Sequence, residues 1–115
     1  MLPNRIRLST KATNRLQRIK SQTGITPNVL SRIAIMLTIK DKNNLITAGV
    51  EDFDGQVIDK NILFGEYLDI YDVLINQYIY DNQITLELPE TLASLIEIGV
   101  HKMGHIKTLV DISKL

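Results

Sequence analysis

A chain of 115 residues, 44% apolar and 23% charged, suits one soluble domain (1–115) with a modest core. Its zero net charge hides two opposed halves: residues 1–45 hold nine Lys or Arg and one acid, while residues 46–115 hold four Lys and twelve Asp or Glu. The absence of cysteine excludes disulfides, thiolate metal sites and persulfide carriage. No apolar run reaches the ~18 residues of a membrane span. Met1-Leu-Pro-Asn-Arg lacks the apolar centre of a signal peptide, so the cytoplasm is the expected compartment. Ser113-Lys114-Leu115 matches a peroxisomal address, a three-residue match read as fortuitous.

Arg5-Ile6-Arg7-Leu8-Ser9 alternates polar and apolar, the period of a strand with one buried face. Thr10 is the expected N-cap of a helix running from Lys11 to about Gln22, with Ala12, Leu16 and Ile19 inward. Thr23-Gly24 ends it, and Thr26-Pro27 opens a second helix. Val29, Leu30, Ile33, Ala34 and Leu37 are expected to face inward there. Asn28, Ser31, Arg32 and Ile35 line the other face, so Ile35 is an expected contact with another chain. Asp54-Gly55, between residues 47–53 and 56–58, is a turn signal and predicts a small β-hairpin. Tyr67, Ile70, Tyr71, Leu74, Ile75 and Tyr78 recur at helical spacing over residues 66–80. Ile84 to Leu88 suits a short strand or an extended connector. Pro89-Glu90 opens a last helix with Leu92, Leu95, Ile96, Gly99, Val100 and Met103 as its buried stripe. The predicted fold is mostly α: a compact helical domain with a basic strand-helix-helix segment (1–45) and an acidic segment of hairpin plus helices (46–115).

The basic segment carries the functional signal. Lys11, Arg15 and Arg18 form one stripe, with Arg5 and Arg7 beside its start, and Lys20, Lys40 and Lys42 could widen the patch. No acid precedes Asp41, so a polyanion meets a strongly positive local field. The blander alternative is a solvated helix face.

Strand, helix, Gly-containing turn and helix follow the order of a ribbon-helix-helix module, and residues 5–39 (RIRLSTKATNRLQRIKSQTGITPNVLSRIAIMLTI) resemble one throughout. That resemblance implies strands of two chains paired as a ribbon in the major groove, with Arg5 and Arg7 outward. Together with NILFGEYLDIYDVLINQY (61–78), the same string is similar to DndE of the bacterial DNA phosphorothioation system. This second resemblance covers the whole chain. It implies a small non-catalytic DNA-binding subunit, homotetrameric and favouring nicked duplex DNA. It also implies work beside a cysteine desulfurase, a sulfurtransferase and an ATPase that replace a non-bridging phosphate oxygen with sulfur. No cofactor and no metal are expected.

Other constellations compete. His101-x-x-x-His105 has metal-ligand spacing without a third ligand. Glu51-Asp52-x-Asp54 could hold magnesium for strand cleavage, which keeps a metal-dependent nickase as an alternative beside a ribbon-helix-helix regulator. Tyr67, Tyr71 and Tyr78 could stack bases, but at helical spacing with Leu74 and Ile75 they are expected to form core or subunit interface.

Overall fold

The computed structural model describes residues 2–41, 44–105, 107 and 109–115. Strand β1 (Arg5–Arg7) leads into α1 (Thr10–Thr23) and α2 (Pro27–Lys40). A 3-10 turn (Leu45–Ala48) and an irregular loop precede β2 (Val57–Asp59), α3 (Lys60–Phe64) and a second 3-10 turn (Gly65–Tyr67). Helices α4 (Leu68–Asp81) and α5 (Leu88–Lys102), a 3-10 turn (Met103–His105) and α6 (Leu109–Ser113) complete the chain. The mostly helical architecture with one small antiparallel sheet agrees with the sequence reading.

Local chemistry explains the helix ends. Ser9, one residue before the expected cap, accepts from the Ala12 N–H through its hydroxyl at 2.9 Å. Gly24 closes α1 in the left-handed conformation (φ 78°), which lets its N–H reach the Lys20 carbonyl at 2.7 Å. Pro27 and Pro89 sit in the first turns of α2 and α5, where a missing N–H costs nothing.

Helix α5 is the centre of the molecule. Ten consecutive residues, Thr91 to Val100, are buried, so this helix has no solvent face along most of its length. It packs most extensively on α2, and also meets α1, β1 and the Leu45–Ala48 turn. A Cβ at Gly99 would collide with the Ala34 backbone, so only glycine permits this crossing. Thr38 of α2 donates its hydroxyl to the Leu95 carbonyl at 2.7 Å, tying the two helices one turn away. Glu97 is buried and accepts a hydrogen bond from the Ser9 hydroxyl at 2.5 Å. The same hydroxyl thus caps α1 and satisfies a carboxylate of α5.

Three expectations change. The sheet is antiparallel, but β2 pairs with β1 in the register Arg5↔Asp59, Ile6↔Ile58, Arg7↔Val57, and residues 47–53 form no strand. Ile58 and Ile6 both enter the core, so their pairing buries two apolar side chains that a local hairpin would leave unpartnered. The buried face of α2 is rotated, with Leu30, Ser31, Ala34, Ile35 and Thr38 inside and Val29, Ile33 and Leu37 only half-buried. Ile35 is therefore a core residue, fully enclosed within one chain, and is not an outward contact. The cause is α5, which places small side chains at its closest contact. Residues 84–87 form the connector, not a strand.

Replacing Gly99 by Ala is expected to lower unfolding stability by about 2 kcal/mol or more, despite alanine's helix advantage of about 1 kcal/mol. Urea unfolding monitored by circular dichroism measures the difference. Gln83, the one non-glycine with positive φ (52°) among the described residues, closes α4 where glycine is favoured. Gln83→Gly should raise stability by up to about 1 kcal/mol in the same assay.

Candidate nucleic-acid interface

Strand β1 presents Arg5 and Arg7 to solvent on either side of the fully buried Ile6, as the alternation requires. Pairing with β2 holds them within one chain, through bonds from the Lys60 N–H to the Asn4 carbonyl and from the Leu8 N–H to the Gln56 carbonyl. One edge of β1 is thereby occupied, which removes that edge from any ribbon shared between chains. The register brings Lys60, a cation of the acidic half, beside Arg5 in a depression lined also by Asn4, Asp59 and Asn61. Nothing local in the sequence links residues 5 and 60.

On α1, Lys11 is exposed and Arg15 and Arg18 are half-buried on one flank, next to the Ala12, Leu16 and Ile19 face that enters the core. Arg18 bends toward the C-terminal end of the chain, donating to Gln22 Oε1 at 3.0 Å and to the Gly104 carbonyl at 3.3 Å. Lys20 is exposed but lies about 180° round the helix from Lys11, at 100° per residue, so it does not share the stripe. Lys40 is exposed at the end of α2, and Lys42 lies outside the described residues. Among the described residues, Arg5, Arg7, Lys11 and Arg15 have no carboxylate within ion-pair distance; the pair that does form joins Lys102 to Asp41 at 3.0 Å. Arg32 behaves differently from all of these. Its guanidinium lies 5.5 Å from the Tyr67 ring centroid and donates to the Phe64 carbonyl at 3.4 Å, which commits it to packing α2 against the second 3-10 turn.

The acidic loop supports this surface structurally. Asp52 accepts from the Thr10 N–H at 2.9 Å, the Thr10 hydroxyl at 3.1 Å and the Asp54 N–H at 3.0 Å. The Asp54 and Thr10 N–H groups hold its carboxyl below the usual carboxylate range. All three bonds end on one oxygen of Asp52, so the carboxylate that the nickase alternative would use pins the loop to the start of α1. His101 and His105 do not share one helix: α5 ends at Lys102, and His105 Nδ1 lies 3.1 Å from the Lys102 carbonyl in the following turn.

The tyrosines divide. Tyr78 is 4% exposed and belongs to the core, so like Ile35 it is not available to another subunit. Tyr71 is half-buried with its ring 4.9 Å from that of Phe64. Tyr67 is exposed. The larger outward patch lies on the opposite side of α4, where Ile70, expected with the tyrosines in the apolar stripe, projects to solvent with Val73 and Tyr80, at 59%, 69% and 81% exposure. Apolar residues on both sides of α4 were the available signal, because one buried stripe does not need both.

A family model described as DNA sulphur modification protein DndE matches residues 5–110. Among solved structures, the chain is similar to DndE from Escherichia coli B7A, described as involved in DNA phosphorothioation modification. The two are 29% identical, with 90% of this chain and 99% of that chain covered and a TM-score of 0.72. A DndE G21/24K mutant, described as involved in DNA phosphorothioation, shows 27% identity over the same shares with a TM-score of 0.71. No curated protein matches.

Because the Asp52 carboxyl is more acidic in the folded than in the unfolded chain, its contribution to stability is complete above about pH 4 and fades as pH falls through the folded value. The melting temperature of Asp52→Asn should therefore change less than that of the parent between pH 5 and pH 2.5, about the range over which such a group titrates.

Proposed function

Since the chain belongs to the DndE family of DNA sulphur modification proteins, we propose that it is the non-catalytic DNA-binding subunit of a cytoplasmic phosphorothioation system. It would hold duplex DNA, preferentially nicked, for the desulfurase, sulfurtransferase and ATPase that carry out the sulfur chemistry. The observation that carries this reading is the group of cations at β1 and the start of α1, exposed or half-buried and free of carboxylate partners among the described residues. Such groups bind phosphates by releasing counterions, with no need for a preferred sequence. Arginine on β1 adds a planar fork suited to phosphate oxygens. The occupied edge of β1 weighs against the ribbon-helix-helix regulator, and the three bonds to Asp52 weigh against the nickase.

Self-association fits the outward face of α4. Ile70, Val73 and Tyr80, with Tyr67 nearby, give an apolar patch that a second copy would cover, and a tetramer would multiply the phosphate contacts through effective concentration. A nick lowers the cost of bending DNA, a few kcal/mol for an intact duplex, so a surface that bends its ligand would favour the broken strand.

If about six phosphates are neutralised, the logarithmic salt slope is about −5, a loss of roughly a thousandfold between 50 and 200 mM salt. Fluorescence anisotropy on nicked and intact duplexes of one sequence measures both terms. Lys11→Glu with Arg15→Glu should abolish binding at physiological salt and leave the circular dichroism spectrum unchanged. Salt-independent affinity, or full binding by the double variant, would overturn the reading. Val73→Glu should lower the mass measured by light scattering, and an unchanged oligomer would remove α4 from the interface.

A further inference from the structure

The irregular loop after the Leu45–Ala48 turn and the connector between α4 and α5 enclose a groove of about 810 Å³, and none of the cations proposed above to bind phosphate lines it. Val50 and Phe53 form one wall, Ile84 and Leu86 the other, and Ser94 of α5 lies in the lining. Phe53 and Leu86 are 40% and 43% exposed, and on facing walls they give the groove apolar area that a ligand could cover. Ser94, 6% exposed, adds a polar hydroxyl to the lining. Neither wall is regular structure: the N–H groups of Glu51, Phe53, Thr85 and Leu86 donate no backbone hydrogen bond among the described residues. Main-chain groups in this state accept an extended segment by strand-like pairing.

Charge selects the occupant. The lining contains no Lys or Arg and one carboxylate, Glu90, and Glu51, Asp81 and Glu87 adjoin lining residues in the sequence. That field repels nucleic acid and attracts a cationic peptide. The chain's own basic apolar segment cannot fill the groove in a second copy, because Leu2, Ile6 and Leu8 are all buried in its core. We propose that this groove is a docking site for an extended segment of a different protein, with apolar anchors flanked by Lys or Arg. The chain would then hold DNA on one surface and a protein partner on another.

The test uses the full-length chain and fluorescein-labelled peptides with an Ile-Phe-Leu centre flanked by Lys and Arg in varied order. Matched sets carry Glu flanks, or a Ser-Gly-Ser centre, and oligothymidine serves as the nucleic-acid probe. The basic-flanked apolar set should bind, and Phe53→Ala and Glu90→Lys should each weaken it by about tenfold or more. Phe53→Ala should leave duplex DNA affinity unchanged, and Lys11→Glu should leave peptide affinity unchanged, so failure of the DNA reading remains distinguishable from failure of this one. Absence of binding by the whole basic-flanked set overturns the inference. Equal binding of the Glu-flanked set, indifference to both groove variants, or Phe53-dependent binding of oligothymidine does so too.

Discussion

The close crossing of α5 over α2 at Gly99 and Ala34 is the constraint on which the rest of the structure depends. Backbone packed directly on a residue without a side chain draws α5 far enough in for all of Thr91 to Val100 to be buried. Helices α1 and α2 are then placed by what they attach to on this helix. Thr38 anchors α2 to the Leu95 carbonyl, and Ser9 anchors the start of α1 to Glu97. A hydrogen bond to a buried carboxylate contributes about 1.5–3 kcal/mol, and leaving that carboxylate without a partner would cost more. The arrangement therefore fixes α1, the helix that carries Lys11 and Arg15, to the deeply buried helix of the fold.

Charge separation is the second organising feature, and it acts outside the core. Cations gather on β1 and one flank of α1, while the loop 49–55, α4 and the connector before α5 carry only carboxylates. A molecule of zero net charge can thus present one positive and one negative face, because the potential near each surface depends on its own charges. Asp52 illustrates how the acidic half also serves the basic one. Its carboxylate meets the N–H and hydroxyl of Thr10, the first residue of α1, where negative charge complements the helix dipole. Its role is to hold a loop against the helix.

Two apolar surfaces stand out among the described residues, and their chemistry differs. The outer face of α4 is a convex stripe of Ile70, Val73 and Tyr80, suited to another flat helical surface. The groove beside Phe53 and Leu86 is concave, with unbonded main-chain N–H groups in its walls. A small domain built on one central helix has room for such surfaces, since its peripheral helices bury only their inner faces.

Residues near in sequence were legible without coordinates. Gly24, Pro27 and Pro89 mark helix boundaries through backbone restrictions that act over one turn, and the period of Ala12, Leu16 and Ile19 identifies the inner face of α1. The exposed Arg5, Arg7 and Lys11 follow from the same alternation and spacing. What could not be read there depends on partners far along the chain. The β1–β2 register that brings Lys60 to Arg5, the rotation that buries Ile35, the enclosure of Tyr78 and the capture of Asp52 by Thr10 each require two distant segments to meet. Sequence periodicity says that a helix has an apolar side but not which neighbour will cover it. That choice belongs to packing, and here it follows from the close approach of the α5 and α2 backbones at Gly99 and Ala34.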